Sequence, residues 1–245
     1  MQIAYIFCPS YVLNKNKIKI PQHINDASVV QGDIFIAADS GIKTAFELNI
    51  TPDVLLGDFD SYNIDDDMRL RVRPAMTAAV ENIKIIKYPA IKNDTDSMLA
   101  VKYALGLGYK NIIIIGGLDG RIDHTFANLC LLKYIKINGG TGCITNGYNR
   151  ITYLSDSSVR IYKEYQYVSV MPVIPEIRGV TLKGFKYNLN DAKVRFEEPY
   201  TVCNEISESS EYGEIIISDG EAFICECDDS ISYQTPFLMR PQVWG

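Results

Sequence analysis

The sequence predicts an α/β half followed by an all-β half, and three observations carry that expectation. From Met1 to about Tyr148, short apolar runs alternate with segments of helical period. Several of those runs are continuously apolar, as parallel strands covered on both faces are. Beyond Gly147 the helical period disappears, and strand-like runs follow one another between turn residues. The expected fold class is therefore an α/β N-terminal domain, with a mostly parallel sheet and helices on both faces, followed by an all-β sandwich domain.

In chain order, the expected strands of the first half are Ile3 to Phe7, Ile34 to Ala37, Val54 to Leu56, Ile83 to Ile86, Ile112 to Ile115 and Cys143 to Thr145. Between them, helices are expected at Gly41 to Leu48, Tyr62 to about Val80, Ser97 to Leu107 and Thr125 to Ile137, with Pro74 interrupting the second. The second half offers strands at Ile151 to Leu154, Val159 to Tyr162, Tyr167 to Val170, Val180 to Leu182, Phe185 to Tyr187, Glu214 to Ile217 and Ala222 to Cys227. These runs divide the chain into residues 1–148, residues 149–228 and a tail, 229–245, that holds Pro236, Pro241 and the only tryptophan, Trp244.

Composition narrows the class. With 245 residues, 47% hydrophobic, 22% charged, 17 Gly and 10 Pro, the chain has the make-up of an ordinary globular protein, which excludes collagen, low-complexity disorder and a coiled coil. A net charge of −6 repels a polyphosphate backbone, so no nucleic-acid partner is expected. No apolar run approaches the ~18 to 20 residues that span a bilayer, and no basic segment precedes the apolar start, so no membrane partner is expected either. The six cysteines lack any CxxC spacing, which reads as thiols in a reducing compartment and a cytoplasmic location.

The acidic residues show where chemistry sits. Asp39 follows the second expected strand, Asp58 and Asp60 the third, Asp94 and Asp96 the fourth after a short loop, and Asp119 and Asp123 the fifth. An open α/β sheet binds its ligands beyond the carboxyl ends of its strands, so these residues converge on the expected site. In extended backbone Asp58 and Asp60 point the same way and can share one hard cation. Converging carboxylates repel unless a cation neutralises them, and Mg²⁺ with a phosphorylated substrate is the economical answer. Simpler roles compete at some positions: Asp94 or Thr95 can cap the helix from Ser97, and Asp65 to Asp67 read as a solvated helix start.

No GxxxxGK[ST] or GxGxxG phosphate loop exists. In its place stands Gly116-Gly117-Leu118-Asp119-Gly120-Arg121-Ile122-Asp123-His124, a glycine-rich strand-to-helix turn containing one arginine. Its glycines let backbone amides approach an anion, and the guanidinium of Arg121 offers a fork of donors to phosphate oxygens.

Four stretches in order resemble the thiamine pyrophosphokinase (thiamine diphosphokinase) family. They are Ala38-Asp39-Ser40-Gly41, Pro52 to Ser61, Lys92-Asn93-Asp94-Thr95-Asp96, and Gly120 to Thr125 with Asn128; in the second half Gly184 to Tyr187 and Cys203 to Ile206 resemble it too. The resemblance implies an ATP-binding α/β domain, a β-sandwich, and a homodimer with each thiamine site between subunits. It implies transfer of a diphosphate from ATP to the hydroxyl of thiamine, with AMP released. Carried over by position, Asp58, Asp60 and Asp96 are expected as catalytic, Mg²⁺-holding carboxylates. Asp39, Thr95, Gly117, Arg121, Asp123 and His124 are expected at the nucleotide, and Cys203 and Asn204 near thiamine. Asn93 stands where the family usually has Asp, Cys203 where it has Ser, Asn188 where it has Pro, and Cys8-Pro9-Ser10 lacks the usual glycine. Two other functions use the same residues: a Mg²⁺-dependent phosphohydrolase, and a nucleotide or thiamine sensor without turnover.

Overall fold

The computed structural model describes residues 2–20, 32–58, 83–89 and 93–229. The expected helix from Tyr62, the carboxylate of Asp60 and nearly all of the 229–245 tail lie outside the described residues. The first half supplies strands β1 (Ile3–Phe7), β2 (Ile34–Ala38), β3 (Val54–Gly57), β4 (Lys84–Lys87), β5 (Asn111–Ile115) and β6 (Thr141–Thr145). It also supplies helices α1 (Gly41–Glu47), α2 (Asp96–Gly106) and α3 (Ile122–Ile137). The second half is all strand: β7 (Asn149–Ser155), β8 (Ser158–Tyr162), β9 (Tyr167–Pro172), β10 (Glu176–Lys183), β11 (Leu189–Arg195), β12 (Tyr212–Ile216) and β13 (Glu221–Cys227).

Nine strands form one sheet in the order β4-β3-β2-β1-β5-β6-β7-β13-β9, and four form a second in the order β11-β10-β12-β8. From β4 to β6 every neighbouring pair is parallel. The continuous apolar runs have the physical reason expected of them, because both faces are covered. Ala4 and Ile6 of β1 point to one side, where Ala100, Val101 and Ala104 of α2 and Leu131, Leu132 and Ile135 of α3 complete the core. Tyr5 and Phe7 point to the other side, with Phe35 and with Ala45 of α1. There the rings of Tyr5 and Phe35 stack at 5.1 Å between centroids.

The long sheet does not stop where the sequence texture changes. β6 pairs antiparallel with β7, Ile144 opposite Ile151, and β13 then joins β7 to β9. One face of this antiparallel end packs on the four-stranded sheet, so that Leu154, Val168, Val170 and Ile224 share a core with Ile177, Val180, Val194 and Ile215. Tyr153 and Phe223 point the opposite way and pack against the core that α3 covers. Several details differ from the sequence reading, among them that β10 begins at Glu176 rather than Val180. α3 begins at Ile122 rather than Thr125, β11 was not expected, and Phe185 to Tyr187 forms no strand, Phe185 making only an isolated bridge to Ile206. β11 is an edge strand whose seven residues, LNDAKVR, bury only Val194, so its hydrophobic signal is faint. None of the described helices is long and apolar enough to cross a membrane.

Where β7 begins and β13 ends, charges fasten the two strands to each other and to the loop after β1. The guanidinium of Arg150 donates from Nε and Nη2 to both oxygens of Glu226, at 2.7 and 2.5 Å, and from Nη1 to Glu164 at 2.5 Å. Arg150 and Glu226 are cross-strand partners, and Lys17 and Lys19 of the loop after β1 reach Asp228 and Glu164 from the other side. Glu226 is only 2% exposed. Removing the cation from a buried pair strands the carboxylate. Arg150→Met is therefore expected to lower the stability of the fold by about 3 to 5 kcal/mol in urea unfolding, and the double change with Glu226→Gln to restore most of it. A loss below about 1 kcal/mol in the single variant would mean that the pair is not needed to hold β7 against β13.

Candidate active site

Connection order decides where a crevice opens. From β1 the chain steps outward through β2, β3 and β4, then returns to the opposite side of β1 with β5 and β6. Loops leaving β1 and β5 therefore part in opposite directions, and a ligand crevice is expected at the carboxyl ends of those two strands. A cavity of about 630 Å³ lies there, within the usual range for small-molecule sites. Cys8, Pro9 and Tyr11 line it from the loop after β1, and Ala38, Asp39 and Ser40 from the end of β2. Thr95, Asp96 and Ser97 enter from the start of α2, Gly117, Asp119, Gly120 and Arg121 from the turn between β5 and α3, and His124 and Asn128 from α3.

Close backbone approach shapes the floor. Gly117 takes φ +72°, and its N–H donates to the carbonyl of Pro9 at 2.9 Å. A Cβ there would sit 2.6 Å from Nδ2 of Asn128, so the turn requires glycine for space as well as conformation. Asn128 is buried and spends its amide on the site: Nδ2 donates to the Gly117 carbonyl at 3.0 Å, and Oδ1 accepts from the Ser97 hydroxyl at 2.7 Å. Cys8 is buried beneath the cavity, and burial, with the nearby Asp96 carboxylate second, pushes its thiol up to about 12. It is a small neutral hydrophobe at physiological pH.

The acidic residues divide. Asp39 and Asp96 line the cavity. Asp39 sits in the left-handed region at φ +46° and donates its N–H to the Leu56 carbonyl at 2.8 Å, which ties the end of β2 to β3. Asp58 stands one residue beyond β3 at the same edge of the sheet, but is not among the lining residues. The choice of cap for α2 falls to Thr95, whose hydroxyl accepts the Met98 N–H at 3.2 Å, while Asp94 pairs with Lys102 at 2.6 Å. Among the described residues no three His, Cys, Asp or Glu side chains form a metal-holding group. Mg²⁺ needs only one or two carboxylates together with substrate phosphates, so the hard oxygen donors of this edge suit it.

Arg121 caps nothing with its side chain. Its Nη2 donates to Asp123 at 2.5 Å and its Nε at 3.1 Å, and Asp123 also accepts the His124 N–H at 2.9 Å. Asp123 itself does not line the cavity. Cys203 and Asn204 lie in the second half and do not line it either. The amide of Asn204 holds the turn after β10, donating to the Tyr187 carbonyl at 2.7 Å and accepting the Tyr187 N–H at 3.1 Å. Cys203 is exposed, at φ +58°, and its N–H donates to the Ser169 hydroxyl at 3.0 Å.

The chain matches the family description "Thiamin pyrophosphokinase, catalytic domain" over residues 27–140 and "Thiamin pyrophosphokinase, vitamin B1 binding domain" over residues 157–220. It is 32% identical to thiamine pyrophosphokinase of Bacillus subtilis over 179 residues, which cover 72% of this chain and 79% of that protein. This chain belongs to the thiamin pyrophosphokinase family. The solved structure of thiamine pyrophosphokinase from Bacillus subtilis shares its fold with a TM-score of 0.77 at 24% identity, over 94% of this chain and all of that one. That of thiamin pyrophosphokinase from Geobacillus thermodenitrificans gives 0.72 at 25% identity, over 94% of this chain and 99% of that one. In this thiamin pyrophosphokinase family member the expected pairing of a mostly parallel α/β part with an antiparallel β part stands, and the protein is an enzyme.

The arginine hydrogen bond leads the causes that hold the Asp123 carboxyl down to about 2. A depressed folded value keeps the ion pair complete above the ordinary carboxylate range and releases it only as pH falls through about 2. An NMR titration of the Asp123 carboxyl carbon is expected to give that low midpoint, and Arg121→Ala to return it toward the ordinary 3.8. A midpoint unmoved by Arg121→Ala would acquit the arginine as its cause.

Proposed function

We propose that the cavity at the ends of β1 and β5 is where this chain performs thiamine diphosphokinase chemistry: ATP donates its terminal diphosphate to the hydroxyl of thiamine, and AMP leaves. The observation that carries this reading is the convergence of Asp39, Thr95, Asp96, Gly117 and Arg121 on one cavity at the switch point of the sheet. The amino ends of α2 and α3 also open onto it, and free amides at a helix start favour phosphate oxygens.

In this reading the thiamine oxygen bonds to the β-phosphorus while the bond from that phosphorus to the α,β-bridging oxygen breaks. Such transfers depend on in-line positioning and charge neutralisation more than on covalent chemistry. Asp58, Asp60 and Asp96 would hold Mg²⁺, which when bound would neutralise charge developing on the transferred phosphates. Arg121 turns its fork to the phosphates, sharing or releasing Asp123. Asp39, Thr95, Gly117 and His124 position the nucleotide, and one of the three metal-side carboxylates accepts the hydroxyl proton. Cys203 and Asn204 serve thiamine, in a site completed by a second copy of the chain in a cytoplasmic homodimer. In support, Tyr187, Tyr200 and Val202 leave apolar surface exposed beside them.

Purified protein with ATP, Mg²⁺ and thiamine is expected to form AMP and thiamine diphosphate in equal amounts, measured together by chromatography. Asp96→Asn is expected to lower turnover at least a hundredfold, or about 2.7 kcal/mol of barrier, with an unchanged melting temperature. ADP or phosphate appearing without thiamine diphosphate would replace the reading with a hydrolase, and wild-type rates in Asp96→Asn would remove that residue from the mechanism.

A further inference from the structure

One aromatic ring at the mouth of the cavity is unusually placed. Tyr11 lines the cavity, yet it is among the most exposed of the large apolar and aromatic residues, at 83%. Its ring lies against Gly120, whose backbone has φ +90°, and a Cβ on that glycine would stand 3.3 Å from the ring's Cε2. An exposed tyrosine on a surface loop ordinarily samples many rotamers, but the backbone that carries this one is fastened. The carboxylate of Asp119 accepts the N–H of Tyr11 at 2.5 Å and that of Val12 at 2.7 Å. It also accepts the Ser10 hydroxyl, at 3.1 and 3.2 Å to its two oxygens. A charged acceptor shared by two successive amides and a hydroxyl is a strong local tether. It binds the loop after β1 to the turn after β5, on opposite sides of the crevice floor.

We propose that Tyr11 is a stacking platform for a planar heteroaromatic ring of the substrate pair, and that Asp119 is the positioning residue that presents it. The inference rests on the diphosphokinase reading for the identity of those rings, the purine of ATP and the ring system of thiamine. A flat ring with one face in water and its backbone tethered gives up little freedom when a second ring lies on it, and aromatic stacking tolerates either partner. Gly120 is part of the device: at φ +90° a side chain is strained there, and a Cβ would crowd the tyrosine ring at 3.3 Å.

Titration calorimetry decides it, using a non-hydrolysable ATP analogue with Mg²⁺ and, separately, thiamine. The proteins are the wild type, Tyr11→Phe, Tyr11→Ala, Asp119→Ala and the double variant Tyr11→Ala/Asp119→Ala, each shown folded by its melting temperature. Tyr11→Ala is expected to weaken one of the two ligands about tenfold and spare the other, which tells purine from thiamine. Tyr11→Phe keeps the ring and is expected to bind as wild type. Asp119→Ala is expected to weaken the same ligand, and the double variant to be no weaker than the worse single one, because Asp119 acts through Tyr11. In turnover, the KM of that ligand rises while kcat stays within about twofold. Unchanged affinity for both ligands in Tyr11→Ala overturns the proposal, as does an equal loss of both, which would mark damage to the whole cavity. Additive losses overturn the positioning role of Asp119. A wild type that binds the analogue but makes no AMP refutes the diphosphokinase reading while the binding comparison still judges Tyr11, and a wild type that binds neither ligand refutes both.

Discussion

Everything at the candidate site hangs from the meeting of backbones at the carboxyl end of β1. There the Cys8 N–H donates to the Ile115 carbonyl and the Gly117 N–H to the Pro9 carbonyl, at 2.8 and 2.9 Å, so the first and fifth strands remain joined past their regular pairing. Two glycines make the approach possible. A Cβ on Gly41 would sit 2.0 Å from the Phe7 carbonyl oxygen, and one on Gly116, at φ +87°, 2.5 Å from that of Cys8. Because no side chain intervenes, the start of α1, the end of β2 and the turn before α3 all crowd around a single point. That crowding brings residues from five segments of the chain onto one cavity.

Electrostatics then sets what the cavity asks of a ligand. Asp39, Asp96 and Asp119 face it with Arg121 the one arginine or lysine among its described lining residues, and that arginine is engaged by Asp123. Asp119 is also committed, to the loop that carries Tyr11. An anionic ligand on its own meets an acidic wall, whereas a phosphate chain arriving with a divalent cation finds carboxylates for the metal and amides and a guanidinium for its oxygens. The acidic balance of the whole chain suits a nucleotide carried with its cation in the same way.

Much of the first half could be read along the chain, since a strand buried on both faces announces itself as an unbroken apolar run. β1 agrees with its expected span to the residue and β2 and β3 within one residue at either end, and so does β4, although three of its four residues are exposed. Strand order could not be read that way. It is a property of the whole sheet, and it is what places the crevice between β1 and β5 and lets one sheet run on from β6 through β7. β11 escaped because an edge strand needs little apolar surface. At the site, Asp39, Thr95, Asp96, Gly117, Arg121 and His124 were marked by motif and line the cavity, whereas Asp58, Asp123, Cys203 and Asn204 do not. Tyr11 also lines it without having been named, and Asn128, which belongs to the fourth resembling stretch, lines it without having been given a role. Nothing local marks Tyr11, whose place depends on a carboxylate 108 residues away in the chain. Asn128 was marked by resemblance alone, and its task, holding the Gly117 carbonyl and the Ser97 hydroxyl, depends on two segments that meet only in the fold.

Amide chemical-shift mapping with a non-hydrolysable ATP analogue and Mg²⁺ tests most directly whether the switch-point cavity is the nucleotide site. The expected result is shifts concentrated at Asp39, Ser40, Asp96, Gly117 and Arg121, the backbone that the β1 junction gathers. If those amides stay still while shifts gather elsewhere, such as the shallow hollow at Lys183 and Glu214, the cavity at β1 and β5 is not where the nucleotide binds.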